Sequence, residues 1–212
     1  MRITKFEHSC LLVEMSAPQN RTALFDPGIM SESALDVNAL EFLDDIIITH
    51  SHADHISMTL VKALVAKFPA VSITAPAEVV DLLEKADITA SNDPSSGITF
   101  FVAPHESVEP LFPTPEQNGI HYLDLLSNPG DSHTFNESKA VLALPITAPW
   151  GSTVTAVNLA LKLKPKYILP IHDWHWRPEA RDQMFATMEQ FFAKNDITFV
   201  MLKTGIPVVL DV

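Results

Sequence analysis

The chain has 212 residues, of which 47% are apolar and 19% charged, with a formal net charge of −12. That length and balance suit one folded α/β domain spanning residues 1–212 and exclude a disordered chain. A surface this acidic repels nucleic-acid phosphates and anionic lipid headgroups, so the expected partner is a small-molecule substrate, with no nucleic acid and no membrane.

Cys10 is the only cysteine, which forbids an intrachain disulfide and suits a reducing compartment. Residues 1–8 lack the apolar core of a secretion signal, and no apolar run approaches the roughly 18–20 residues that span a bilayer. The expected localisation is cytoplasmic.

Apolar patterning predicts strands over 3–6, 11–15 and 23–25, joined by short turns into an antiparallel meander. Residues 45–49 form a β-branched run, read as a strand buried on both faces. Helical spacing follows over 58–67, with Leu60, Val61, Leu64 and Val65 leading to Phe68. A strand is predicted at 71–75. Pro76 then opens a helix to about 86 whose inner face is Val79, Val80, Leu82 and Leu83. A turn cluster at 92–97 precedes a strand at 98–103. Residues 104–119 are proline-rich and aperiodic, which predicts a loop bordering a pocket. Strands are expected at 120–126, broken by Asn128-Pro129-Gly130, and at 140–144. A helix at 154–163, a strand at 167–169 and a long amphipathic helix from Pro178 through Met184, Phe185, Met188, Phe191 and Phe192 come next. Strands at 197–202 and 206–210 end the chain. Alternating β and α segments of this kind cover sheets with helices.

The run Thr49-His50-Ser51-His52-Ala53-Asp54-His55 carries the chemistry. Neutral imidazoles and carboxylates are the ligands that borderline divalent cations prefer. In an extended loop, side chains two apart point the same way. His50, His52 and Asp54 are therefore expected to converge on one spot, with His55 reaching a second. The bland reading is a histidine-rich surface loop, and three further residues argue against it. His105 follows the strand ending near 103, Asp131 follows the strand ending near 126, and His172 follows the strand at 167–169. With His50, four strands each deliver a ligand just past the carboxyl end, the edge where α/β sheets bind ligands.

The pattern resembles the metallo-β-lactamase superfamily of hydrolases. Its H-x-H-x-D-H signature is matched by His50, His52, Asp54 and His55, and its later ligands by His105, Asp131 and His172. Phe6-Glu7-His8-Ser9-Cys10-Leu11-Leu12-Val13 and Leu24-Phe25-Asp26-Pro27-Gly28 are similar to the branch containing L-ascorbate 6-phosphate lactonase. The resemblance implies a four-layer αββα sandwich. It implies two divalent metal ions, with zinc best suited and manganese or iron alternatives: His50, His52 and His105 on the first, Asp54, His55 and His172 on the second, and Asp131 bridging. Such a pair, about 3.5–4 Å apart, activates a hydroxide for attack on a carbonyl or phosphoryl centre. Asp54 then doubles as the catalytic proton carrier. Two carboxylates and five imidazoles leave that centre net positive, attractive to an anionic substrate despite the acidic surface.

Around this set, His8 is read either as a substrate contact or as support for a ligand, against the alternative of a buried histidine satisfied by backbone. Asp26 is read as a turn residue or as a carboxylate orienting a ligand imidazole. Trp174 and Arg177 are read as pocket wall and anion grip, against the alternative that the tryptophans Trp174 and Trp176 anchor the segment on the long helix. His133 and His121 are read as structural, Cys10 as a packed small hydrophobe, and Met184 and Met188 as core. The missing secretion signal disfavours an antibiotic-degrading enzyme, and size and acidity disfavour a nuclease. His52 stands where the di-iron branch has Glu. A metal-dependent hydrolase of a small ester, lactone or phosphoester is expected, with a non-catalytic metal-binding sensor or scaffold as the alternative. The family resemblance also implies a homo-oligomer.

Overall fold

The computed structural model describes residues 1–212, which divide into two compact units. Met1–Ser96, Pro115–Gln117 and Leu202–Val212 make the first; Gly97–Thr114 and Asn118–Met201 make the second.

The first unit is built on a six-stranded mixed sheet. Its strands are β1 (Arg2–Lys5), β2 (Leu11–Met15), β3 (Arg21–Phe25), β4 (Asp45–Ile47), β5 (Ser72–Thr74) and the late β12 (Val208–Val209), which pairs with β1. Strands β1, β2 and β3 form the expected antiparallel meander, and β3, β4 and β5 run parallel. Strands β1, β3 and β4 thus point the same way. The segments that follow them, carrying His8, Asp26 and the histidine run, emerge at one edge of this sheet. Helices α1 (Met58–Lys67) and α2 (Ala77–Glu84) cover it: Leu60, Val61, Leu64, Val79 and Leu83 pack with Leu12, Leu24, Ile46 and Ile73. Ser57 caps α1 by accepting the Leu60 N–H. Asp45, fully buried in a strand, is held by the Arg21 guanidinium through Nε and a second nitrogen, which offsets its desolvation.

The second unit carries a second six-stranded mixed sheet. Its strands are β6 (Ile98–Phe101), β7 (Gly119–Tyr122), β8 (Leu126–Asn128), β9 (Val141–Pro145), β10 (Tyr167–Ile171) and β11 (Thr198–Phe199). Strand β7 runs antiparallel to both β6 and β8, and β8 to β11 are parallel. Strands β6, β8, β9 and β10 therefore share a direction, and their carboxyl ends share an edge. Helices α3 (Thr153–Leu163) and α4 (Pro178–Ala193) pack Ala156, Leu159, Ala160, Phe185, Met188 and Phe192 against Leu142, Leu144 and Ile168.

Three expectations need correction. The strand predicted at 120–126 is a hairpin, because Leu123 and Asp124 adopt positive φ (51° and 57°) and turn the chain between β7 and β8. In α2, Leu82 is 39% exposed, so Val79 and Leu83 carry the buried face. In α4, Met184 and Phe191 lie at the surface, and Met188 with its neighbours Phe185 and Phe192 is core. No helix is long and apolar enough to cross a membrane.

Candidate metal centre

In the first unit the histidine run is not extended. The His55 and Ile56 amides both donate to the His52 carbonyl, at 2.9 and 3.0 Å, and wind the run into a turn. The turn breaks the two-residue alternation. Asp54 consequently lies with His55 and His8, their ligand atoms within 4.8 Å of one another, while His50 and His52 belong to a separate group. The expected convergence of His50, His52 and Asp54 on one spot therefore does not occur: Asp54 falls in one group and His50 with His52 in the other.

Two buried residues orient these imidazoles. The Thr49 hydroxyl has one proton, and both Asp26 carboxylate oxygens lie 3.1 Å from it. Donating there, the hydroxyl accepts from His50 Nδ1 (3.1 Å) and His55 Nδ1 (3.3 Å). Asp26 also stands 3.1 Å from His55 Nδ1 and accepts the Thr49 amide at 2.8 Å. Asp26 is therefore the imidazole-orienting carboxylate, and its positive φ of 44° shows the turn role as well. With Nδ1–H committed, each ring is the tautomer whose Nε2 lone pair is a metal donor. Thr49 was not singled out by the sequence, although its place directly before His50 is a signal that could have found it.

His8 is buried at a left-handed φ of 55°, and its Nε2–H donates to Asp54 Oδ2 at 3.0 Å. That nitrogen supports Asp54, which fits the reading of His8 as support for a ligand. Gly28 completes the cradle. Its α-carbon presses on the Asp54 carbonyl, and the flanking bonds from the Ile29 amide to Ala53 O (2.9 Å) and from the Ser57 amide to Pro27 O (2.7 Å) strap the two loops together.

In the second unit, His105, Asp131 and His172 come together past β6, β8 and β10. His172 Nε2 lies 2.9 Å and His105 Nε2 3.8 Å from the same oxygen, Asp131 Oδ2. Both rings donate Nδ1–H to backbone carbonyls, His172 to Thr147 at 2.9 Å and His105 to Glu106. In neutral rings held this way, two nitrogen lone pairs face a carboxylate oxygen. That arrangement is repulsive unless a cation sits among them, and it suits a shared divalent metal.

Trp174 is half exposed and Arg177 is exposed, both on the short segment between His172 and α4. Trp176 packs on the second core and anchors that segment. His133 Nε2 donates to Pro145 O at 2.7 Å, and burial lowers its pKa. His121 stacks on Phe101 at 4.2 Å and bonds Ser127, and burial lowers its pKa too. Burial pushes the Cys10 thiol up to about 12, which leaves it unreactive. Trp150 was missed by the sequence reading; its Nε1–H donates to Asp131 Oδ2 at 3.2 Å.

Comparison with known proteins places the fold in a family. Residues 2–172 match the family described as the beta-lactamase superfamily domain. The chain belongs to that family. Its fold is the metallo-β-lactamase fold, two mixed sheets with helices packed on each, and its class is that of the superfamily's metal-dependent hydrolases. A relative, Protein Rv0786c of Mycobacterium tuberculosis, is 34% identical over 194 residues, covering 85% of this chain and 88% of its own length. Among solved structures, the metallo hydrolase Igni18 of Ignicoccus hospitalis aligns with a TM-score of 0.70 at 19% identity, over 100% of this chain and 98% of its own. An isothiocyanate hydrolase from Delia radicum gut bacteria aligns with a TM-score of 0.67 at 15% identity, over 99% of both chains. At those identities the solved structures speak for the fold alone.

Proposed function

We propose that this superfamily member is a dinuclear hydrolase of a small lactone, ester or phosphoester. In this reading residues 1–212 act as a single functional domain, as the family resemblance implies. His50, His52 and His105 would hold one divalent cation, Asp54, His55 and His172 would hold the other, and Asp131 would serve both. The observation that carries the reading is the convergence of the two Nε2 atoms on Asp131 Oδ2, with both Nδ1 atoms tied to carbonyls. Zinc fits imidazole-rich sites best, and manganese or iron fits the same ligand types.

When bound, the cations supply an acidified water and a counter-charge for the anionic transition state. The protein supplies orientation and proton transfer. Thr49 and Asp26 fix two imidazoles. His8 holds one Asp54 oxygen, and the Asp54 side chain, 27% exposed, remains open enough to pass a proton to the leaving group. Trp174 and Arg177 offer an aromatic wall and a cation that grips a substrate phosphate or carboxylate.

The test is a panel of lactones, carboxyl esters and phosphoesters offered to metal-replete protein. Turnover of a lactone or phosphoester is expected, abolished by a chelator and restored by zinc or manganese. Metal-replete protein that cleaves nothing on the panel would instead favour a sensor or scaffold.

A further inference from the structure

The segment after β9 places an indole against the metal-ligand carboxylate. Ala148 and Gly151 bridge each other through both backbone bonds, at 3.0 and 3.2 Å, which fixes Pro149 and Trp150 at the tip of a tight turn. Ser152 follows at once as the cap of α3, accepting the Thr155 amide at 3.2 Å. The backbone of Trp150 is thus pinned on both sides.

Its side chain is equally constrained. The His133 ring stands edge-on to the indole, 5.0 Å between centroids at 70°. His133 is itself held by Pro145 O and lies so close over Gly151 that a methyl there would meet its Cε1 at 2.8 Å. The indole faces the His172 ring at 5.5 Å. From this pocket Nε1–H donates to Asp131 Oδ2, the same oxygen that both ligand Nε2 atoms approach.

We infer that Trp150 is a positioning residue of the metal centre: its indole N–H holds the Asp131 carboxylate in the orientation that presents Oδ2 to the metals. The inference rests on the reading of Asp131 as a metal ligand. Indole has one donor and no acceptor, so it can bond only an acceptor such as this carboxylate, and it cannot compete as a ligand. Hydrogen-bond partners of ligating carboxylates typically carry about 10–100-fold of metal affinity.

The experiment titrates zinc into metal-free wild type, Trp150→Phe and, as a control, Trp176→Phe, in competition with a chromophoric chelator. Trp150→Phe keeps an aromatic ring and loses the N–H. It is expected to bind zinc about 10–100-fold more weakly, with Trp176→Phe within about twofold of wild type. The thermal midpoint of each metal-free protein is recorded alongside. A merely packing role for Trp150 would lower that midpoint and leave affinity unchanged, which overturns the inference. A second readout needs no change at position 150. In the Trp174→Phe/Trp176→Phe protein, Trp150 is the remaining tryptophan, and its emission is expected to change with zinc and saturate with site filling; flat emission overturns the inference. Wild type that binds no zinc would sink the reading of the site and the Trp150 role with it. Wild-type binding matched by Trp150→Phe sinks the Trp150 role alone.

Discussion

Asp54→Asn, assayed at saturating zinc so that its remaining oxygen can still serve the cation, is expected to keep metal content at the wild-type level and cut kcat by about 10²–10⁴-fold, the usual worth of a positioned proton carrier. The substitution keeps the size and one oxygen of the side chain. His8 Nε2 can still donate to that oxygen, as it does to Asp54 Oδ2 at 3.0 Å. What disappears is the ability to take up and release a proton. Metal analysis and steady-state rates on whichever panel substrate wild type cleaves make the check. An unchanged kcat would remove Asp54 from the proton-transfer role. Loss of metal together with rate would make it a ligand only.

Gly28→Ala is the second large effect. A methyl at Gly28 would sit 1.7 Å from the Asp54 carbonyl oxygen, 2.1 Å from its carbon and 2.7 Å from the His55 nitrogen. All three are backbone atoms of the ligand turn, so no side chain can swing aside. The turn cannot retreat cheaply either, because Ile29 and Ser57 tie it to residues 27–29 on both sides. Overpacking of this kind costs about 3 kcal/mol at the upper end of its usual range. For a chain of this size that lowers Tm by roughly 6–12 °C. Displacing Asp54 and His55 should also lower metal occupancy. Gly205→Ala is the comparison: its φ is +72° but nothing lies within 4 Å, so a cost of about 1 kcal/mol is expected. A Gly28→Ala midpoint no lower than that of Gly205→Ala would show that the loops are not locked together as described.

Much of the fold was legible because its signals are local. The helix at 58–67 matches α1 residue for residue, since its apolar spacing is clean and Ser57 is a strong cap. The hairpin inside 120–126 was hidden because its turn uses Leu123 and Asp124, with no glycine to mark the positive φ. Leu82, Met184 and Phe191 were misplaced because apolar residues in α2 and α4 spread beyond the face that packs. The candidate ligands stood out by residue type and by their position after strands. Side-chain alternation alone misgrouped Asp54 with His50 and His52, because the turn from His52 to Ile56 is closed by backbone bonds that alternation cannot reveal. The supporting residues were hardest to see. Thr49 acts through Asp26, 23 residues earlier, and Trp150 acts on Asp131, 19 residues earlier. Such contacts exist only after strands with distant sequence positions lie side by side.

The central claim is that these imidazoles and carboxylates serve one pair of cations. Metal counting on wild type and on Asp131→Ala, by elemental analysis against protein concentration after exposure to zinc and desalting, tests it most directly. About two metals per chain in wild type, with both lost or severely weakened in Asp131→Ala, is the predicted result. A wild-type chain that retains no metal, or an Asp131→Ala chain that retains two as firmly as wild type, would contradict it.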